Sequence, residues 1–132
     1  RRLNRNLAVV IDSDKTRARD DVNATKSRVA RELGDSFAWV TVGREIENYV
    51  PDAMLQRALA AVYSKFEKPV GVGKYDHRLH FIEKQTGRTV DKVDKVKVAK
   101  HVASEPADLG QFDLSRKVLD LVAFIRSAGR VE

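Results

Sequence analysis

Two stretches decide the fold: AVVIDSDK at residues 8–15 and FAWVTVGREIENYV at residues 37–50. LAVVI (7–11) is a short, continuous, β-branched apolar run, the pattern of a strand buried on both faces. FAWVTV (37–42) predicts a second such strand. Between them Ala18, Val22, Thr25, Val29 and Leu33 recur at steps of four, three, four and four. Those steps mark one face of a helix of about five turns, with Gly34 as the residue after it. Strand, helix, strand is a βαβ unit, so the two strands are expected to run parallel. The expected class is therefore α/β, a small parallel sheet with flanking helices.

Working outward, Pro51 is suited to open a second helix, where its missing N–H costs nothing. The apolar stripe of that helix is Met54, Leu55, Ala58, Leu59, Val62 and Phe66, read as core, as is Trp39. Residues 68–78 (KPVGVGKYDHR) read as loop, and their GVG lacks the strand and helix that flank a phosphate loop. LHFIE (79–83) reads as a strand and QTGR as the turn after it. Residues 91–103 predict a helix capped by Asp91, although their valines also allow a strand. Asp113 is placed to cap a last helix with the stripe Leu114, Val118, Leu121, Val122 and Ile125, ended by Gly129. The chain thus divides into a βαβα core (1–66), a loop and short-strand region (67–90), and a basic helix with a C-terminal helix (91–132).

At 132 residues the chain fits one domain, and 42% hydrophobic with 33% charged residues is a folded rather than a disordered mix. With no cysteine, disulfide frameworks, Cys-ligated zinc, iron–sulfur clusters and thiol catalysis are excluded. No apolar run approaches the ~18 residues of a membrane span. The start, RRLNRN, is polar and basic, so a cytoplasmic location is expected. There is no initiator methionine and residue 3 leads directly toward a strand, so a piece of a longer polypeptide is expected. The net charge is +6, and residues 84–101 alone set six basic groups (Lys84, Arg88, Lys92, Lys95, Lys97, Lys100) against Asp91 and Asp94. A clustered positive face suits nucleic acid, or simply a solvated surface. His77, His80 and His101 lack metal-ligand spacing and read as surface or pocket-edge residues.

Ligand sites in a parallel α/β sheet lie beyond the carboxyl ends of the strands. Asp12 and Asp14 follow the first strand, and Glu45 and Glu47 follow the second after Gly43 and Arg44. Parallel pairing brings both sets to one edge of the sheet. If the chain stays extended, Asp12 and Asp14 point to one side. Carboxylates converging without His or Cys suit a hard cation, Mg²⁺ or Mn²⁺. Such an ion polarises a phosphate oxygen and activates water. The plainer reading is helix capping, with Asp14 capping the helix that follows, but capping accounts for one acid of the four.

AVVIDSDK, a helix, WVTVGREIENYV and then KVKVA (95–99) resemble the TOPRIM nuclease domain of the OLD (overcoming lysogenization defect) family, over nearly the whole chain and most firmly over 7–50. The resemblance implies a TOPRIM-like, Rossmann-like fold that is incomplete at its N-terminus. It implies a metal-dependent DNA endonuclease coupled to an ABC-type ATPase portion of the same polypeptide, acting in anti-phage defence or DNA processing, with homodimerisation. Asp12 and Asp14 match the metal-binding DxD, and Glu47 matches the acid after the next strand, with Glu45 the weaker candidate. Lys95 matches the lysine that contacts the scissile phosphate, and Ser13 is placed to orient a ligand. Lys92, Lys97, Lys100 and Arg88 are assigned to the DNA backbone. The departure is at the start: the family's domain opens with an earlier strand ending in glutamate, and none of Glu32, Glu67, Glu83, Glu105 and Glu132 stands in that context. The resemblance thus implies a two-metal site only in the intact domain, and an ATPase outside this chain, which has no GxxxxGK[ST].

Two rivals stand beside it. AVVIDSDKT also fits the opening motif of haloacid dehalogenase-like phosphatases, with Asp12 as nucleophile, Asp14 as acid/base, and Thr41 and Lys95 in supporting roles. The later acidic strand of those enzymes has no counterpart here. The other rival is a non-catalytic DNA- or partner-binding module built on Gly71, Gly73 and the basic segment 84–101.

Overall fold

A computed structural model describes residues 6–33 and 37–130. The chain is mixed α/β. In order it forms β1 (Ala8–Ile11), α1 (Ala24–Glu32), β2 (Phe37–Val40), a 3-10 turn (Ile46–Tyr49), α2 (Asp52–Val62), β3 (Phe66–Pro69), β4 (Phe81–Glu83), β5 (Thr89–Val90), α3 (Lys95–Ala103) and α4 (Leu114–Ala128). β1 and β2 pair in parallel, Ala8 opposite Phe37 through Ile11 opposite Val40, as the βαβ pattern predicts. β3, β4 and β5 form a separate antiparallel sheet in sequence order.

The expected helix before β2 is shorter than its stripe suggests, 9 residues from Ala24. Polar side chains upstream compete for the backbone. The Asp20 carboxylate accepts from Thr16 N (2.9 Å), Thr16 Oγ1 (2.6 Å) and Arg17 Nε (2.9 Å), which folds 16–20 into a local turn. Those bonds hold the Asp20 carboxyl far below its ordinary range, the Thr16 hydroxyl first and Arg17 next. Asn23, not Asp14, caps the helix, accepting from Thr25 N at 2.8 Å. Gly34 and the approach to β1 at residue 3 lie outside the described residues.

α2 begins after Pro51 and buries Met54, Leu55, Ala58 and Leu59, as its stripe predicts. It stops at Val62, so Phe66 belongs to β3 and not to the helix. Both join Leu79, Phe81 and Val98 in one apolar core between α2, α3 and the antiparallel sheet. α3 is capped by Asp94, which accepts from Lys97 N at 3.1 Å, rather than by Asp91. Asp113 precedes α4 without a side-chain cap bond, and Val122 and Ile125 of the predicted stripe are exposed. The half-buried line of α4 is instead Leu114, Val118, Leu121 and Phe124, with Phe124 against Phe37 at 5.9 Å between ring centres. β1 is also less covered than expected: Val10 is 47% exposed, because α1 buries no residue and the main core lies elsewhere. Trp39 of β2 is buried. No helix among the described residues is long and apolar enough to cross a membrane.

Candidate functional site

The parallel register makes the chain leave Ile11 and Val40 at the same edge. Thr41 N donates to Ile11 O and Asp14 N donates to Arg44 O, both at 2.9 Å, so the two exits are tied together. Ser13, fully buried, is the strut between them: its N–H donates to Thr41 Oγ1 (3.0 Å) and its hydroxyl to Gly43 O (2.5 Å). Those bonds occupy the hydroxyl that was assigned to a ligand. A Cβ on Gly43 would lie 2.7 Å from Lys74 O and 2.9 Å from Asn48 Cβ, so the turn needs glycine there.

The 45–49 turn is clamped by its own side chains. Asn48 accepts from Glu45 N (2.8 Å) and donates to Asp76 O (3.0 Å) and Gly73 O (3.3 Å), which pins the 70–76 loop beneath it. The Tyr49 hydroxyl accepts from Trp39 Nε1 and Val42 N, both at 3.1 Å, and donates to Asp113 Oδ1 at 2.7 Å. Burial, then the Asp113 carboxylate, push this phenol above its ordinary value. Asn48 and Tyr49 therefore set where Glu47 stands.

Asp12 Oδ1 accepts from Ile46 N at 2.9 Å, joining the first acidic motif to the second. Asp14 has a left-handed φ of 56°, so the chain is not extended over 12–14, and the two aspartates do not act as same-side neighbours on a strand. The Asp14 carboxylate pairs with the Lys26 ammonium, which also donates to the Asp12 carbonyl at 2.8 Å. Glu47 is mostly buried. Its Oε1 takes the Lys95 ammonium at 2.8 Å, and its buried Oε2 has no partner among the described residues. Lys95, the first residue of α3, is held above its ordinary value by Glu47 first, against some desolvation, with Glu45 and Asp12 adding to the field. Glu45 is turned away toward His77 Nδ1 at 3.1 Å.

The predicted acids thus follow the two parallel strands, Asp12 against a backbone N–H, Asp14 and Glu47 against lysines, and Glu45 against His77. Among the described residues no group of three His, Asp or Glu side chains is gathered to hold a metal ion. No protein-family model, curated protein or solved structure matches the chain. The functional reading therefore rests on these residues alone.

Arg88, Lys92, Lys97 and Lys100 are exposed, and among the described residues none of them enters an ion pair. Three features were not read from the sequence. Lys26 is one; on the sequence it is one cation among many. The second is a small pocket where the His77 and His80 rings stack at 4.4 Å beside Glu45, Asp91 and Lys95. The third is buried Arg78, on Asp52 at 2.5 Å with its Nε unpartnered. The His77–Glu45 and Arg78–Asp52 pairs join loop residues to distant acids, and no local spacing signals such a pair.

Proposed function

We propose that this chain carries the metal-dependent phosphodiester-hydrolysing site of a TOPRIM-like domain, from an ATPase-coupled DNA endonuclease of OLD type. One observation carries the reading: Glu47 is mostly buried at the edge where Asp12 and Asp14 also emerge, with Oε1 on Lys95 and Oε2 without a partner among the described residues. A buried carboxylate oxygen without a partner is costly unless a cation joins it. The donors are all hard oxygens, which suits Mg²⁺ or Mn²⁺. Lys26 and Lys95 hold positive charge where the acids would otherwise repel one another. Oxygen donors suit such an ion, but among the described residues Asp12, Asp14 and Glu47 are not gathered around one point; they would hold it only on converging, and Glu45, engaged by His77, would not join them.

A divalent ion there would polarise a phosphate oxygen and lower the pKa of an attacking water. The remaining work falls to the chain's own side chains. Lys95 is charged at neutral pH, and its side chain is mostly exposed. Released from Glu47, its ammonium is free to stabilise charge on the phosphate. Arg88, Lys92, Lys97 and Lys100 hold backbone phosphates without reading sequence. The phosphatase rival loses a part: the Thr41 hydroxyl is buried between Ser13 N and Gly43 O, which leaves it unavailable as the second-motif hydroxyl.

The test is conversion of supercoiled plasmid in Mn²⁺ by the wild-type chain, Asp12→Ala and Lys95→Ala. The expected result is nicking that both substitutions abolish. Nicking unchanged in Asp12→Ala sinks the assignment. Release of phosphate from a small phosphomonoester without nicking transfers it to the phosphatase reading.

A further inference from the structure

α1 is lightly seated. It has 9 residues, fewer than the ~12–15 a helix needs to persist alone in water, and it buries none of them. Its half-buried positions are Lys26 and Ala30. Most of its side-chain bonds stay local: Ser27 Oγ donates to Val22 O, and Arg28 pairs with Glu32 one turn on. Among the described residues, Lys26 alone in α1 makes polar side-chain bonds to another part of the fold. Its ammonium donates to the Asp12 carbonyl at 2.8 Å and pairs with the Asp14 carboxylate. Both oxygens belong to the motif that follows β1. A carbonyl and a carboxylate oxygen are hard donors of the kind a divalent cation takes. Here an ammonium of the chain itself fills that place.

We infer that Lys26 is an internal latch: it occupies the Asp12 and Asp14 oxygens that a divalent ion would take, and so sets the affinity for that ion and holds α1 on the acidic edge until it is displaced. The inference rests on the metal-site reading and deepens it. It gives a reason why Asp14 and Glu47 stand apart, each on its own lysine. The exchange is feasible because the latch is weak. The Asp14 side chain is 58% exposed and the Lys26 side chain 32%, so the pair lies near water, where an ion pair contributes little net stability. A dication carries twice the charge of the ammonium and is drawn more strongly to the same oxygens. Once Lys26 lets go, α1 has no buried side chain to hold it, and its backbone hydrogen bonds open more readily. The acidic edge and α1 are thereby coupled: filling the one loosens the other.

The test reads binding, not cleavage. Mn²⁺ affinity is measured from the paramagnetic resonance of the free ion for wild type, Lys26→Met, Lys26→Arg and Lys15→Met. Backbone amide exchange of α1 is followed with and without Mn²⁺. Lys15→Met removes the same charge one residue from Asp14 and breaks neither of the Lys26 bonds. Lys26→Met is expected to bind Mn²⁺ about fivefold more tightly than wild type, and Lys26→Arg and Lys15→Met within about twofold of it. Mn²⁺ should speed exchange of the Ala24–Glu32 amides in wild type. In Lys26→Met those amides should be fast from the outset and indifferent to the ion. Equal Mn²⁺ affinity in wild type and Lys26→Met overturns the inference and leaves the metal-site reading standing. So does equal tightening in Lys26→Met and Lys15→Met, which is the general field of a lost charge. Wild-type α1 exchange that Mn²⁺ slows or leaves unchanged also overturns it, and that arm needs no variant to fold. Mn²⁺ bound by none of the four proteins overturns the metal-site reading together with the inference.

Discussion

At the scale of single residues, Glu47 and Lys95 decide most. Glu47→Gln keeps an oxygen for Lys95 and removes the buried charge. Metal-free stability is expected to move by less than about 1 kcal/mol, within the net worth of one hydrogen bond. The rise in Tm on adding Mn²⁺ should vanish, because linkage stabilisation needs the ligand. Lys95→Ala does the opposite. It leaves a mostly buried carboxylate with no partner on either oxygen, a loss of about 1–3 kcal/mol. Mn²⁺ then stabilises this variant more than wild type, since no ammonium has to be displaced. Thermal melts of all three proteins with and without Mn²⁺ check this, and equal shifts in all three remove Glu47 from the metal site. His80 offers a second residue-scale prediction. Burial and then the facing His77 lower its pKa from the ordinary 6.5, while Asp91 and Glu45 pull the other way and Arg44 adds to the lowering. The folded state therefore favours neutral His80. Its contribution is present above pH 6.5 and is lost as pH falls through that value toward the folded pKa. His80→Asn should flatten the decline of Tm between pH 7 and 5, and an unchanged slope would assign that decline to other groups.

At the scale of elements, caps and local polar bonds set the boundaries that apolar periodicity leaves open. Both members of the parallel pair were legible because LAVVI and FAWVTV are unbroken apolar runs, and α2 because Pro51 and its stripe agree. The start of α1 was not legible. Thr16, Arg17 and Asp20 bond among themselves, and a pattern read at steps of three and four registers apolar positions without that competition. Phe66 continued the stripe of α2 by spacing alone, yet the chain had already turned extended at Tyr63. Asp91 was read as the cap of α3, and the bond from Lys97 N places the cap at Asp94, three residues on. That bond is testable. Asp94→Ala should cost about 0.5–2 kcal/mol and, by fraying the first turn of α3, should loosen Lys95 on Glu47. Asp91→Ala should leave chemical denaturation midpoints nearly unchanged. The reverse ranking would place the cap where the sequence reading put it. Of the candidate site, the place of the acids after β1 and β2 was legible from the strand order, whereas Lys95 was named only through the resemblance. Their ammonium partner Lys26 and the His77–Glu45 pair were not, because contacts between distant segments leave no periodic trace.

At the scale of the whole molecule, the two sheets are held unequally. The antiparallel sheet packs with α2 and α3 around Leu55, Leu59 and Phe81, all nearly inaccessible to water. The parallel pair has one fully buried large side chain, Trp39, while Leu7 and Val10 face outward at 48% and 47% exposure. Local opening costs least where few apolar contacts close over the backbone. Amides of α2 and β4 should therefore exchange with solvent at the global unfolding free energy, and those of β1 at a clearly lower one. Phe81→Ala, which removes a buried ring, should lower global stability by about 3–5 kcal/mol and speed exchange of α2 and β4 alike. The acidic edge belongs to the weaker sheet: Asp12 and Asp14 follow β1 directly, whereas Lys95 stands on α3 in the stronger half. An ion that joined Asp12 and Asp14 to Glu47 would tie the less covered strand to its neighbour. Added Mn²⁺ should then slow exchange of the Ile11–Asp14 amides in wild type and leave them unchanged in Asp12→Ala. Slowing confined to α2 and β4, with β1 unaffected, would show that the ion binds elsewhere on the protein.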